Sequence, residues 1–178
     1  FRPGEWSDDA MLLGAERAAK KAGISKEKAD EAALLSHKRA SRVEKEGCLA
    51  PYIVPLFGST RDEAIRPRMS ERLLARAPHV TNVPDGILTA ANACTMNDGA
   101  AFVALASDDW VKAHGAHPMA EIKAARVSGG DAACSPLMAD QAVSQLLSRE
   151  GLSYEDIDAF EYNEAFAVIS ADFMGRHP

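Results

Sequence analysis

Asn163 follows directly after an apolar run at 157–162 that predicts a strand. Open α/β sheets bind their ligands at the carboxyl ends of strands, so this is a position where chemistry is expected. The amide of an Asn can orient a water molecule or donate to a developing oxyanion without changing its charge. An Asn between a strand and a helix can also serve as an N-cap, and taken alone Asn163 favours that structural role.

A second junction of this kind lies earlier in the chain. Residues 91–99 follow a short predicted strand at 87–90, and most of them are small or polar, which lets a ligand approach the backbone closely. Taken alone, they favour a tight packed turn in which Asn92 and Asp98 hydrogen-bond to their own backbone. Cys94 has no base beside it in the sequence and is more typical of a small buried thiol than of a nucleophile.

The first third of the chain is predicted to be helical. Apolar residues recur at helical spacing up to Gly23, after a predicted N-cap at 7–9, and again from Ser25 to Gly47. The charged, proline-broken stretch at 62–84 predicts a surface excursion with a short helix at 70–77. Its compact basic group at 66–68 could bind a phosphate-bearing ligand or be a solvated loop.

The second half predicts an α/β arrangement. Strands are expected at 87–90, 100–106, 119–127 and 157–162, with helices at 108–115 and 135–150. The order strand, helix, strand, helix from about 119 to 175 is typical of a βαβα unit, which implies parallel pairing and a right-handed crossover.

Composition excludes several classes of function. The 178 residues carry 20 basic and 26 acidic side chains, a net charge of −6, so no general affinity for nucleic acid or anionic membranes is expected. No apolar run is long enough to span a membrane. The three cysteines are far apart, which predicts free thiols, a reducing compartment and no metal site.

Taken together, these segments resemble the thiolases, which form or cleave 3-ketoacyl-CoA by acyl transfer. The resemblance is collinear over nearly all of the chain. It rests on the family's "DExxRP", "VTAGNAS…NDGAAA" and "NEAFA" blocks, which correspond here to residues 62–67, 88–101 and 158–167, and on helical stretches at 11–16, 23–25 and 36–40.

The resemblance implies part of the thiolase fold, an α/β architecture in which a helical CoA-binding loop domain joins pieces of two βαβαβ core halves. The expected divisions are a partial loop domain at 1–85, the end of the N-terminal core at 86–117 and the start of the C-terminal core at 118–178.

The resemblance also implies roles for individual residues. Asn163 would hold the water of an oxyanion hole, while Ala165 and Phe166 would line the acyl and pantetheine tunnel. Ala93 and Cys94 would contact CoA, although Cys94 stands where many members have a Ser that contacts the pantetheine amide, and a thiol is a weaker hydrogen-bond partner. A further CoA-binding residue is Arg66, which would lie near the nucleotide phosphates.

The family's nucleophilic Cys is expected upstream of Phe1, and its general-base His downstream of Pro178. His177 is not that His, because it comes too soon after Asn163 and lacks the preceding Gly-Gly. The intact parent is therefore interpreted as an acyltransferase that uses CoA or acyl-CoA as a substrate, with no permanently bound cofactor. Two alternatives are a thiolase-like protein that binds CoA without turnover and an unrelated doubly wound α/β protein.

Partners and compartment follow from the same resemblance. A homodimer or homotetramer in fatty acid metabolism is expected inside the cell, in the cytoplasm first, with the mitochondrion and the peroxisome as alternatives. The sequence of the first helices is more similar to the degradative, longer-chain thiolases. The preferred acyl-chain length and the direction of the reaction stay open.

Overall fold

Helices supply the regular secondary structure of the computed structural model, which describes residues 9–178. The α-helices of that range are α1 (Ala10–Ala22), α2 (Lys26–Lys45), α3 (Glu71–Ala75), α4 (Asp108–His114), α5 (Met138–Glu150) and α6 (Ala167–Arg176). Short 3₁₀ turns occur at Ala50–Tyr52, Ala132–Leu137 and Tyr154–Asp156. Most of the N-cap predicted at 7–9 lies outside the described residues.

The junction between α1 and α2 is set by two local signals. Gly23 ends α1 with φ at 66°, a left-handed conformation that glycine adopts without steric cost. The backbone N–H of Ile24 then donates to the carbonyl of Ala19 over 2.9 Å, which closes the helix end. Ser25 caps α2, because its hydroxyl accepts the backbone N–H of Lys28 at 3.3 Å. The predicted end of α1 and start of α2 are therefore confirmed.

Small side chains build the core in which α1, α2 and α6 meet. Alanine brings helix backbones close together, so the alanine stripes of α1 and α2 pack as their helical spacing predicts. Larger apolar residues from α2, α3, α6 and the loops fill the remaining space. The buried cluster comprises Ala15, Ala19, Ala29, Ala32, Ala33, Leu34, Leu74, Leu88, Ala91, Phe166, Ala167 and Val168.

The four predicted strands form no ladder within residues 9–178. Only three isolated bridges occur there, and they join Leu56 to Ser59, His79 to Thr89 and Ala93 to Phe166. A strand requires a neighbouring chain segment that supplies backbone hydrogen bonds, and a hydrophobic pattern does not reveal whether that neighbour is present. The helices of the predicted βαβα unit are formed, whereas its strand segments at 119–127 and 157–162 are irregular.

Two of these irregular segments expose large apolar side chains to solvent. Residues 100–106 are exposed throughout, although their sequence is typical of a strand buried on both faces. The segment at 119–127, another predicted strand, also exposes its large apolar side chains. The largest exposed fractions are those of Phe102 (98%), Val103 (83%), Leu105 (76%), Met119 (99%) and Val127 (97%).

Across residues 9–178, the structure contains no helix that is both long and apolar enough to cross a membrane.

Candidate functional site

The two motif blocks singled out in the sequence lie against each other. The backbone N–H of Cys94 donates to the carbonyl of Ala165 over 3.0 Å, and that of Ala167 donates to the carbonyl of Asn92 over 2.9 Å. These bonds flank the isolated bridge between Ala93 and Phe166. Residues about seventy positions apart are thus held as a short antiparallel pair, which brings the turn at 163–166 to the small-residue segment at 92–94.

A cavity of about 200 Å³ opens beside this pair. One wall is a buried to half-buried face of α2, and another is the small-residue segment from Ala91 onward. Most of the polar groups come from different parts of the chain, which is typical of a ligand site. The lining residues are Ala32, Ala33, Ser36, His37, Ala64, Arg66, Ala91, Asn92, Ala93, Cys94, Thr95, Asn97, Glu164 and Ala167.

Arg66 links this cavity to a second one of about 470 Å³, because it lines both. The second cavity is mainly apolar, with Met69, Leu73 and Pro78 in its wall, and Arg68 is its other cationic residue. The guanidinium of Arg66 donates from Nη1 to the carbonyl of Ala90 over 3.4 Å, while the side chain stays exposed. A cationic group between a polar and an apolar cavity suits a ligand with an anionic part and a less polar part.

Asn92 has a structural role that its burial makes necessary. Its side-chain oxygen accepts the backbone N–H of Thr89 at 2.8 Å, as the tight-turn interpretation predicted. Its NH₂ group donates to Asp30 and to the carbonyl of Ile87, each over 2.9 Å. Asp30 is in turn paired with Lys26 of the same helix. Asn92 therefore ties the small-residue segment to α2; no corresponding side-chain bond of Asp98 occurs within residues 9–178.

Glu164 and His37 are an acid and an imidazole in the cavity wall. The carboxylate of Glu164 accepts hydrogen bonds from the hydroxyls of Ser36, at 2.5 Å, and Ser170, at 2.8 Å. His37 accepts the backbone N–H of Arg66 on Nδ1 at 3.3 Å. Burial, and then the cationic Arg66, lower the pKa of His37, whereas Glu164 opposes that change. The His37 ring therefore favours its neutral form, which the accepted bond also requires.

The predicted site residues are not all in the same environment. Arg66, Ala93 and Cys94 line the first cavity. Asn163 is exposed and lines neither cavity, although its neighbour Glu164 lines the first. The side chain of Asn163 makes no hydrogen bond within the described part of the chain. Ala165 is half-buried and contributes its carbonyl to the pair, while Phe166 is 6% exposed and packs in the core.

The interpretation of Cys94 as a small buried thiol is wrong. Cys94 is exposed, as is Cys48, whereas Cys134 is buried; all three are free. Cys94 is exposed because the chain leaves the core after Ala93, and residues 94–107 lie at the surface. The predicted free thiols are confirmed.

His177 is engaged away from the cavity. Its Nε2 lies 3.0 Å from a carboxylate oxygen of Asp140, and its ring stacks on Tyr154 with centroids 3.8 Å apart. These contacts join the end of α6 to α5, which is a structural arrangement. Over residues 9–178, no group of three or more His, Cys, Asp or Glu side chains is placed to hold a metal ion.

Three residues near the site were missed as functional or structural candidates: Glu16, Ser36 and Glu164. Glu16 is 7% exposed, and it accepts hydrogen bonds from Thr81 (2.7 Å), Ile87 (2.9 Å) and Leu88 (3.1 Å). It thereby fixes the loop that precedes the small-residue segment. Its apolar helical neighbours were a signal, since a lone acid on the buried face of α1 must have partners.

Comparisons with known proteins agree with this geometry. The family model "Thiolase, N-terminal domain" matches residues 5–109, and "Thiolase, C-terminal domain" matches residues 116–174. A 3-ketoacyl-CoA thiolase of Aeromonas hydrophila is 39% identical over 169 residues, which cover 90% of this chain and 44% of the relative.

Solved structures give the same result. The acetyl-CoA acetyltransferase of Bacillus anthracis superposes with a TM-score of 0.86 at 31% identity, over 93% of this chain and 44% of that one. Human mitochondrial 3-ketoacyl-CoA thiolase in complex with CoA superposes with a TM-score of 0.79 at 29% identity, over 93% of this chain and 43% of that one.

The chain belongs to the thiolase family, and its α/β fold is part of the thiolase fold. It spans less than half the length of these relatives.

Proposed function

We propose that this chain is part of a thiolase that transfers an acyl group between an enzyme cysteine and CoA. The reaction would be thiolysis of a 3-ketoacyl-CoA or its reverse, the formation of acetoacetyl-CoA. CoA and acyl-CoA would be substrates, with no permanently bound cofactor. The observation that carries the proposal is the backbone pairing of residues 92–94 with 165–167 beside a polar cavity, because it joins the family's two motif blocks into one surface.

Asn163 is proposed as the group that holds the water of an oxyanion hole. Its amide is exposed and has no competing partner in the described structure, so it is available to a ligand. An amide donor directed at a developing oxyanion stabilises the transition state more than the ground state. In the proposed mechanism a cysteine of the parent protein attacks the keto carbonyl, the carbon–carbon bond breaks, and acetyl-CoA leaves. The acyl group then passes from that cysteine to a second CoA.

The remaining site residues are proposed to hold the thioester substrate. Ala93 and Cys94 would contact the pantetheine chain, because both line the cavity. Arg66 would lie near the nucleotide phosphates, which its cationic guanidinium and its place between two cavities support. Ala165 and Phe166 would line the acyl and pantetheine tunnel. The structure of human mitochondrial 3-ketoacyl-CoA thiolase in complex with CoA supports CoA as the ligand.

The proposed domain division is 1–85 for the loop domain, 86–117 for the end of the N-terminal core and 118–178 for the start of the C-terminal core. The two family models, which end at residue 109 and begin at residue 116, support a boundary in that region. The parent protein is further proposed to be a homodimer or homotetramer in the cytoplasm, with the mitochondrion and peroxisome as the other compartments.

The test is an assay of the intact protein for thiolysis of acetoacetyl-CoA and of a longer 3-ketoacyl-CoA. Asn163→Ala should lower kcat by about 10²–10³-fold, the usual effect of removing one oxyanion-hole donor, without lowering the melting temperature. Asn82→Ala is the matched control, because Asn82 is an exposed amide that lines neither cavity.

Absence of thiolysis with both substrates would refute the enzyme proposal. Retained binding of CoA in calorimetry would then identify a thiolase-like protein that binds CoA without turnover.

A further inference from the structure

We propose that Glu164 is a positioning residue, whose carboxylate is held by one hydroxyl from α2 and one from α6 so that the turn carrying Asn163 keeps a fixed conformation. The inference rests on the proposed role of Asn163 and adds the group that orients it. Glu164 would act through the backbone of its neighbour, without contacting the reacting atoms.

The carboxylate is bound at both of its oxygens. Ser36 Oγ donates to Oε2 over 2.5 Å, and Ser170 Oγ donates to Oε1 over 2.8 Å. The two serines belong to different helices, and Ser36 is 128 residues away in sequence. Hydrogen bonds to an ionised acceptor are shorter and stronger than neutral ones, so these two bonds resist rotation of the Glu164 side chain.

The backbone that follows Glu164 is also held. The carbonyl of Ala165 accepts from Cys94, and the N–H of Ala167 donates to Asn92. The turn is thus fixed on one side by backbone bonds to the small-residue segment and on the other by the two serine hydroxyls. Asn163 precedes this fixed stretch directly, so the direction of its amide depends on the backbone that Glu164 restrains.

Direct ligand binding by Glu164 is the competing interpretation, because Glu164 also lines the cavity. Its oxygens already accept hydrogen bonds from two hydroxyls, and a carboxylate would repel the anionic part of a ligand. The observations therefore favour a role through hydrogen bonding over one through charge, and the two make different predictions for a neutral replacement.

The test compares four variants in the intact protein. Glu164→Gln retains partners for both serines, since its carbonyl accepts and its NH₂ donates to a hydroxyl oxygen. Glu164→Ala removes both bonds, and Ser36→Ala with Ser170→Ala removes them while leaving the carboxylate. Glu161→Ala is the matched control, because Glu161 is an exposed acid in the same block.

For thiolysis, Glu164→Ala and the double serine variant should each lower kcat by about 10–100-fold, the effect of a small misplacement, with KM nearly unchanged. The kcat of Glu164→Gln should stay within about threefold of that of the unsubstituted protein, because the side-chain hydrogen bonds to both serines persist. An increase in KM at constant kcat would overturn the proposal by making Glu164 a binding residue. Equal losses in Glu164→Gln and Glu164→Ala would overturn it by making charge the cause.

A second measurement does not depend on catalysis. Amide hydrogen exchange in a peptide covering 161–168 should be faster in Glu164→Ala and in the double serine variant, and unchanged in Glu161→Ala. Unchanged exchange in the first two variants would overturn the positioning role even if the parent is an active thiolase. Faster exchange in a parent that lacks thiolysis would support the positioning role while refuting the proposed function.

Discussion

Glu16 and Leu88 are joined by a buried hydrogen bond, in which the carboxylate Oε1 accepts the backbone N–H over 3.1 Å although 72 residues separate them. The same carboxylate accepts from Ile87 and Thr81. Gly86 lies so close that a Cβ there would be 2.7 Å from Glu16 Oε1. One acid on α1 therefore determines the path of the loop that leads into the candidate site.

Replacement of Glu16 by Ala should destabilise the intact protein by about 2–4 kcal/mol, because three donors lose a buried charged acceptor. Urea denaturation monitored by circular dichroism would measure this loss. Glu31→Ala is the matched control, since Glu31 is an exposed acid on α2 and should change stability by less than about 0.5 kcal/mol. Equal stability of both variants would contradict the anchoring role of Glu16.

Asn92→Ala should cost about 2–3 kcal/mol of unfolding free energy, because the replacement leaves the N–H of Thr89 and a carboxylate oxygen of Asp30 without their partner. The exposed Asn97 of the same block provides the comparison, and Asn97→Ala should be close to neutral. Thermal unfolding of the two variants measures the loss of stability in each. A milder effect at position 92 than at position 97 would contradict the described network.

The neutral form of His37 predicts a pH dependence of stability. Its pKa is lowered from an ordinary value near 6.5, first by burial and then by Arg66. Below about pH 6.5 the unfolded chain therefore binds a proton that the folded protein does not, and unfolding is favoured. This contribution to stability is complete above the unfolded pKa and is lost as the pH falls toward the lower folded pKa.

His37→Asn removes the titrating group while keeping a side-chain oxygen that can accept the N–H of Arg66. Between about pH 7 and pH 5.5 the parent should lose more stability than this variant, as measured by urea unfolding at each pH. His117→Asn, at an exposed position, should follow the parent. Parallel pH curves for the parent and His37→Asn would rule out the proposed contribution.

Tyr162 offers a stabilising substitution. Its hydroxyl is buried and has no hydrogen-bond partner in the described residues. Burial, with Asp140 and Asp172, raises its pKa to about 12, so it remains a neutral phenol. Tyr162→Phe keeps the ring contact with Phe173 and removes the unpaired group, so it should stabilise the protein by about 1 kcal/mol.

The melting temperature of Tyr162→Phe provides the measurement, and Tyr52→Phe is the comparison because Tyr52 is 81% exposed. A lower melting temperature for Tyr162→Phe would show that the hydroxyl has a partner.

Features set by neighbouring residues could be predicted from the sequence. Gly23 marks the end of α1, and Ser25 caps α2, since each acts on a backbone only a few residues away. The alanine spacing of the two helices likewise predicted which faces are buried. The motif blocks containing Arg66 and Cys94 did line one cavity, but the exposure of Cys94 depends on how the chain leaves the core, which no local pattern encodes.

Long-range side-chain bonds could not be predicted in this way. Glu16 and Glu164 each bind donors from distant parts of the chain, and neither has a sequence neighbour that identifies its partner. Strand pairing could not be predicted for a similar reason. The apolar pattern at 100–106 indicates burial on two faces, but it does not identify the chain segments that would cover those faces. The sequence identifies Asn163 by the chemistry of its amide, whereas the two serines that hold the neighbouring Glu164 are identified only by the three-dimensional structure.

The exposed segment at 100–106 determines how a polypeptide of these 178 residues should behave in solution. Phe102, Val103 and Leu105 lie in a stretch, 99–107, that contains no charge or proline and is flanked by Asp98 and Asp108. The β-propensity of Phe102 and Val103 in this exposed stretch promotes intermolecular β-pairing. Expressed alone, the polypeptide should self-associate in a concentration-dependent manner through this segment. Val103→Lys should reduce that association, because a charge within the segment opposes intermolecular β-pairing. In an assembled thiolase core the same lysine should be destabilising, because burial of a charge without a partner costs free energy.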